Sequence, residues 1–89
     1  MLRLSFPPLT EERRKQLVKV VRSLAEEGRV TLRNVRRSSR QDLEALEKDG
    51  EASSDSVKRA EESVDQITRE HENEINAALG QKEEELLEV

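Results

Sequence analysis

Cysteine, tryptophan and tyrosine are absent from the 89 residues, and Phe6 is the single aromatic. Without thiols there is neither a disulfide framework nor a thiolate metal site, and the chain suits a reducing compartment. Without aromatics there is nothing on which to stack bases one at a time, so any nucleic acid is met through its backbone or shape. Only two prolines and three glycines interrupt the chain, which favours long helices over a sheet or a proline-rich coil. Apolar residues make up 33% and never run long enough to cross a bilayer, and the first residues lack the order of a secretory signal. The expectation is one small, soluble, cytoplasmic domain with a thin core.

Charge is what the chain has in quantity: 40% of residues are Asp, Glu, Lys or Arg, and the mean hydropathy is −0.90. Such a composition sets long charged helices against disorder. The formal net charge of −4 conceals an uneven distribution, because residues 10–47 carry ten Lys/Arg against seven Asp/Glu, whereas residues 48–89 carry five against thirteen. The first segment can face an anion and the second cannot.

Residues 2–9, LRLSFPPL, read as an extended lead-in that two prolines keep from becoming helical. Thr10 follows as an N-cap, with Glu11 and Glu12 in a first turn where the helix dipole favours negative charge. The expected domain layout is a lead-in over 1–9, a helix over 10–47, a turn over 48–53 with Gly50 and serines, and a helix over 54–88 capped by Ser53 or Ser54. Leu17, Val21, Leu24, Gly28, Val35 and Leu46 recur at spacings of threes and fours and predict the core face of the first helix, with Val20 and Leu32 on its flanks. Val57, Ala60, Val64, Ile67, His71, Ile75, Ala78 and Leu86 predict that of the second. The fold class is therefore all-α, a long antiparallel two-helix hairpin. Each apolar stripe is wide enough to want more than one neighbour.

The chemistry-bearing pattern is a basic row. Lys15, Arg22, Arg29, Arg33, Arg36 and Arg40 fall within a sector of about 60° on the first helix, about 120° from its apolar stripe. No acidic residue lies between positions 28 and 41. A row of guanidinium groups on a rigid rod can follow phosphates. The bland reading is a solvated face with intrahelical pairs such as Glu26 with Arg29 or Arg22. His71 is the only histidine and sits on the apolar stripe, where a packed or edge role is expected. The glutamates at 61–62 and 83–85 read as solubilising surface, and neither a phosphate loop, a nucleophile elbow nor a metal-ligand spacing is present. These residues describe a binding protein without catalytic groups, metal or cofactor.

The stretch PPLTEERRKQLVKVVRSLAEEGRVTLRNVRR, residues 7–37, together with the ending KEEELLEV, closely resembles bacterial ribosome recycling factor, in register from about Leu2 to Val89. The resemblance implies the C-terminal half of that family's fold. Its tail domain is a three-helix bundle, of which this chain resembles helices two and three, with no counterpart of the first helix or of the inserted β-rich head domain. Residues 2–8 would then be the hinge strand. The resemblance also implies docking on large-subunit rRNA and, in the full-length family, splitting of post-termination ribosomes with elongation factor G. Carried over residue by residue, the RVxxRNxRR motif assigns RNA contact to Arg29, Arg33 and Arg36, with Asn34 and Arg37 inside the same motif. TEERR adds Arg14 beside Arg13. The chain departs from the family in SSRQD after Arg37, which adds Arg40, and in Glu72, where many members are apolar. The rival expectation, from another class, is a hairpin that covers its apolar stripes by homodimerising and uses its charges only for solubility.

Overall fold

A computed structural model describes residues 10–87 of the chain; the lead-in expected over residues 1–9 and the last two residues lie outside it. Two helices account for nearly all of the described residues, α1 over Glu11–Lys48 and α2 over Ser54–Leu87, with no strand among them. They form an antiparallel hairpin whose longer helix, of 38 residues, spans about 57 Å.

Local chemistry sets the ends of the rod. Thr10 is in an extended conformation, and its side chain accepts a hydrogen bond from the Arg13 backbone N–H at 3.0 Å, satisfying one of the four N–H groups that a helix start leaves open. At the far end Asp49 N–H donates to the Ala45 carbonyl, and Gly50 adopts φ +75°, the left-handed value that lets the chain leave the helix. Ser53 then caps α2 by accepting from the Ser56 backbone N–H at 3.2 Å. Because a side chain at Gly50 would strain the left-handed backbone, Gly50→Ala is expected to destabilise the hairpin by about 1 kcal/mol, with Gly50→Asn costing less. Urea titration followed by circular dichroism measures the difference.

The seam between the helices follows an 11-residue pattern. On α1 the seam runs through Arg14, Val18, Val21, Ala25, Arg29, Leu32, Arg36, Arg40 and Leu43, with Leu17, Gly28 and Ser39 shielded beside it; on α2 it runs through Val57, Glu61, Val64, Thr68, Glu72, Ile75, Leu79, Glu83 and Leu86, with Ala60 and Asp65 shielded beside it. Both sets step by four, three and four, about 3.67 residues per turn, close enough to the natural 3.6 that two nearly straight helices stay in contact along their whole length. Gly28 permits a close approach, since a Cβ there would come 3.1 Å from Ile75 Cδ1.

That seam coincides with the predicted core face only in part: Leu17, Val21, Gly28 and Leu32 on α1 and Val57, Ala60, Val64, Ile75 and Leu86 on α2 are shielded as expected. Among the described residues only Ala25 and Val57 are buried, while Leu24 is 60%, Val35 57% and Val20 52% exposed, and Leu46 and Ile67 are exposed with them. His71 and Ala78 are likewise exposed, the histidine ring lying at the edge with Nδ1 3.3 Å from a Glu74 carboxylate oxygen. The physical reason is that four of the nine α1 seam positions are arginine and three of the nine on α2 are glutamate. The helices turn toward those partners by about 60°, at 100° per residue, and leave the far side of each apolar stripe bare. Because the helices are antiparallel and both turn in the same sense, Val20, Leu24, Val35, Leu46 and Ile67 end on one face of the hairpin. The arginine row occupies the opposite face.

Candidate nucleic-acid interface

The arginine face is held by a ladder of side-chain bonds across the seam. Arg22 Nε donates to Glu83 at 2.8 Å, Arg29 Nη1 to the Asn76 side-chain oxygen at 2.8 Å, and Arg36 Nε to Asp65 at 2.7 Å, while Arg40 approaches Glu61 at 3.5 Å. Arginine suits this position because its alkyl stem packs along the seam while its planar head reaches the rim. Helix propensity does the rest, since residues 33–46 hold no glycine or proline and the rod carries its guanidinium groups at fixed intervals.

The predicted RNA-contacting residues divide into three groups. Arg33, Arg36, Arg37 and Arg40 come together, with Gln41 and Glu44, along one shallow groove on this face. Arg29 lies one to two turns away with its head partly shielded, held by Glu26 at 3.1 Å as well as by Asn76. Arg14 and Asn34 are not part of the group: Arg14 is half-buried at the open end, about 22 Å along the axis from Arg29, and Asn34 is exposed about 100° or more around the helix from Arg36. The row is therefore less free than its spacing suggests. Arg29, Arg36 and Arg40 are half-buried in the seam, because α2 supplies Asn76, Asp65 and Glu61 across it. The intrahelical pairing considered for Glu26 is also present, to Arg29 and, at 3.6 Å, to Arg33. Arg37 is exposed and has no ion pair among the described residues.

The pairing shifts protonation in the expected directions. The hydrogen bond from Arg36 pulls the Asp65 carboxyl below the ordinary aspartate value; shielding from water opposes this, and the charges of Arg36, Arg40 and Arg69 reinforce it. Arg36 and Arg22 are raised in turn by their hydrogen bonds to Asp65 and Glu83. A carboxyl depressed on folding stabilises the fold above its unfolded value of about 3.9, and that contribution is lost as the pH falls through the still lower folded value. The stability difference between the native chain and Asp65→Asn is therefore expected to be constant at neutral pH and to close below about pH 4, as thermal unfolding in a pH series measures.

Sequence reasoning passed over the α2 side of this surface. Glu61 and Glu83 read as solubilising surface and Glu72 as a departure from the family, although the three recur every 11 residues, as Arg14, Ala25 and Arg36 do on the α1 side of the seam. Among the described residues no group of His, Asp or Glu side chains could hold a metal ion, and no helix is long and apolar enough to cross a membrane.

The family model described as Ribosome recycling factor matches residues 1–87. A protein named Ribosome-recycling factor from a Nocardioides species is 52% identical over 89 residues, covering all of this chain and 48% of its own length. Proteins of the same name from Clavibacter sepedonicus and Bacillus subtilis are 49% and 46% identical over 89 residues, with 47% and 48% of their lengths covered. The chain spans about half the length of the curated relatives it matches.

Proposed function

We propose a function from one premise: this chain belongs to the ribosome recycling factor family, a family of translation factors and not of enzymes. The arginine face binds the RNA of the large ribosomal subunit in the cytoplasm, through Arg33, Arg36, Arg37 and Arg40 in the groove, with Arg29 beside it. Each contact is a charge-assisted hydrogen bond to a phosphate oxygen, for which the planar guanidinium fork is better shaped than a lysine ammonium. The observation that carries this reading is the convergence of four arginines of a ribosome-factor sequence on one open groove. Binding of this kind positions a protein without reading bases, in keeping with Phe6 being the single aromatic residue. Splitting of post-termination ribosomes with elongation factor G belongs to the full-length members of the family. The test is co-sedimentation of the chain with purified large subunits across a salt series. Binding at low salt that weakens in proportion to the logarithm of salt concentration supports the reading, and absence of low-salt binding by a folded chain removes it.

The bare apolar face favours a second reading, in which two copies associate. Leu24, Val35 and Leu46 are spaced by equal intervals of 11 residues, so a two-fold axis through Val35 sets Leu24 against Leu46 of the other copy and Val35 against its own equivalent. Ile67 lies at nearly the same height as Val35, since Arg36 pairs with Asp65. The bare apolar residues of α1, from Val20 to Leu46, extend over about 39 Å of the hairpin. Such pairing leaves the arginine face open, so it is compatible with RNA binding.

A further inference from the structure

The ladder on the arginine face does not keep one register. From Arg22–Glu83 to Arg29–Asn76 both helices advance by seven residues; from Arg29–Asn76 to Arg36–Asp65, α1 advances by seven and α2 by eleven. At about 1.5 Å per residue, roughly 6 Å of α2 is left without an opposite number on α1. The lean of the long arginine side chains takes up the difference, and beside this step lies a pocket lined by Arg33, Arg36, Asp65, Thr68, Arg69 and Glu72.

The lining is three guanidinium groups, a hydroxyl and two carboxylates. Arg33 is held only loosely, at 3.6 Å from Glu26. Arg69 has no ion pair among the described residues, yet stands close enough to Asp65 to help keep it ionised. Arg36 engages Asp65 through Nε at 2.7 Å, with the charge of Glu72 also acting on it. A tetrahedral anion with several acceptor oxygens can accept from three guanidinium groups that line one pocket from two helices, in competition with the two carboxylates beside them.

We propose that this pocket seats one phosphate of the RNA backbone, with Arg69 of α2 completing the set begun by Arg33 and Arg36, and that Asp65 is the internal competitor which phosphate displaces from Arg36. The inference rests on the reading that the arginine face binds large-subunit RNA, and extends that site from one helix to both. In the free chain Asp65 occupies the place of the anion and keeps the guanidinium group ordered. In the complex Asp65 and the phosphate are like charges on the same ligand, so the carboxylate weakens binding.

Co-sedimentation with large subunits of the native chain, Arg69→Gln, Asp65→Asn and the Arg33→Ala/Arg36→Ala double variant tests this, with circular dichroism to confirm equal helix content. Arg69→Gln is expected to bind about tenfold more weakly and to reduce the salt slope by about one phosphate contact, ~0.7–0.9. Asp65→Asn is expected to bind about threefold more tightly. If the double variant loses binding while Arg69→Gln matches the native chain, the site is confined to α1 and the two-helix pocket is wrong. Equal or weaker binding by Asp65→Asn overturns the competitor role. A native chain that fails to bind at low salt overturns the parent reading instead.

Discussion

Replacing Arg33 and Arg36 together by alanine is expected to weaken association with large ribosomal subunits by about two orders of magnitude at low salt, since two charge-assisted contacts disappear at once. The two residues share both concave surfaces on this face, the groove running toward Arg40 and the pocket shared with α2, so no other pair has the same reach. Their loss also lowers the salt slope by about two contacts, a signature that a non-specific drop in folded protein does not produce. Helix content is expected to stay unchanged, because both side chains are partly exposed and the Arg36–Asp65 bond lies on the rim of the seam. A salt series on the purified variant, with circular dichroism alongside, reads both quantities. Binding retained at the native level with an unaltered slope would remove these arginines from the interface.

Replacing Val35 by glutamate is expected to convert a self-associating chain into a monomer throughout the accessible concentration range. At an axis of two-fold symmetry one substitution acts twice, placing two like charges against each other where two apolar side chains met. Val35 is 57% exposed in the single hairpin, so the substitution disturbs little within one copy. Sedimentation equilibrium of the native and Val35→Glu chains separates the effects: the native chain is expected at twice the monomer mass and the variant at the monomer mass. A native chain that remains monomeric at high concentration removes the second reading without touching the first. RNA binding by the variant is expected to equal that of the native chain, because the two faces are opposite.

The helices and the reversal between them were legible from ordinary signals: Thr10 with its acidic first turn, the absence of glycine or proline over residues 29–49, and Gly50 among turn-forming residues. What could not be read was the rotation of the helices about their own axes. Periodicity locates an apolar stripe, and the usual inference turns that stripe inward. Here Leu24, Val35 and Leu46 lie outward, because Arg29, Arg36 and Arg40 find Asn76, Asp65 and Glu61 at matching heights across the seam. Pairing of this kind depends on the relative register of two segments separated by a turn, which no single-helix pattern contains. The basic row was likewise legible as a set of residues on one side of a helix, while the partial shielding of its members was not. Arg69 escaped notice because it is one cation in a segment of net negative charge.

The four-three-four seam also governs how the molecule comes apart. A residue on α1 meets α2 only at its own height, so each turn of the rod is supported by its immediate neighbours and by nothing at a distance. Unfolding then resembles the opening of a zipper whose closed end is the Gly50 turn: the turns around Arg14 and Leu86 separate first, and those around Leu43 and Val57 last. Amide protons along one helix are accordingly graded in protection, lowest at the open end. Arg36 and Arg40, paired with Asp65 and Glu61, lie in the more durable half, so the arginine groove keeps its shape through openings that already expose the first turns of α1.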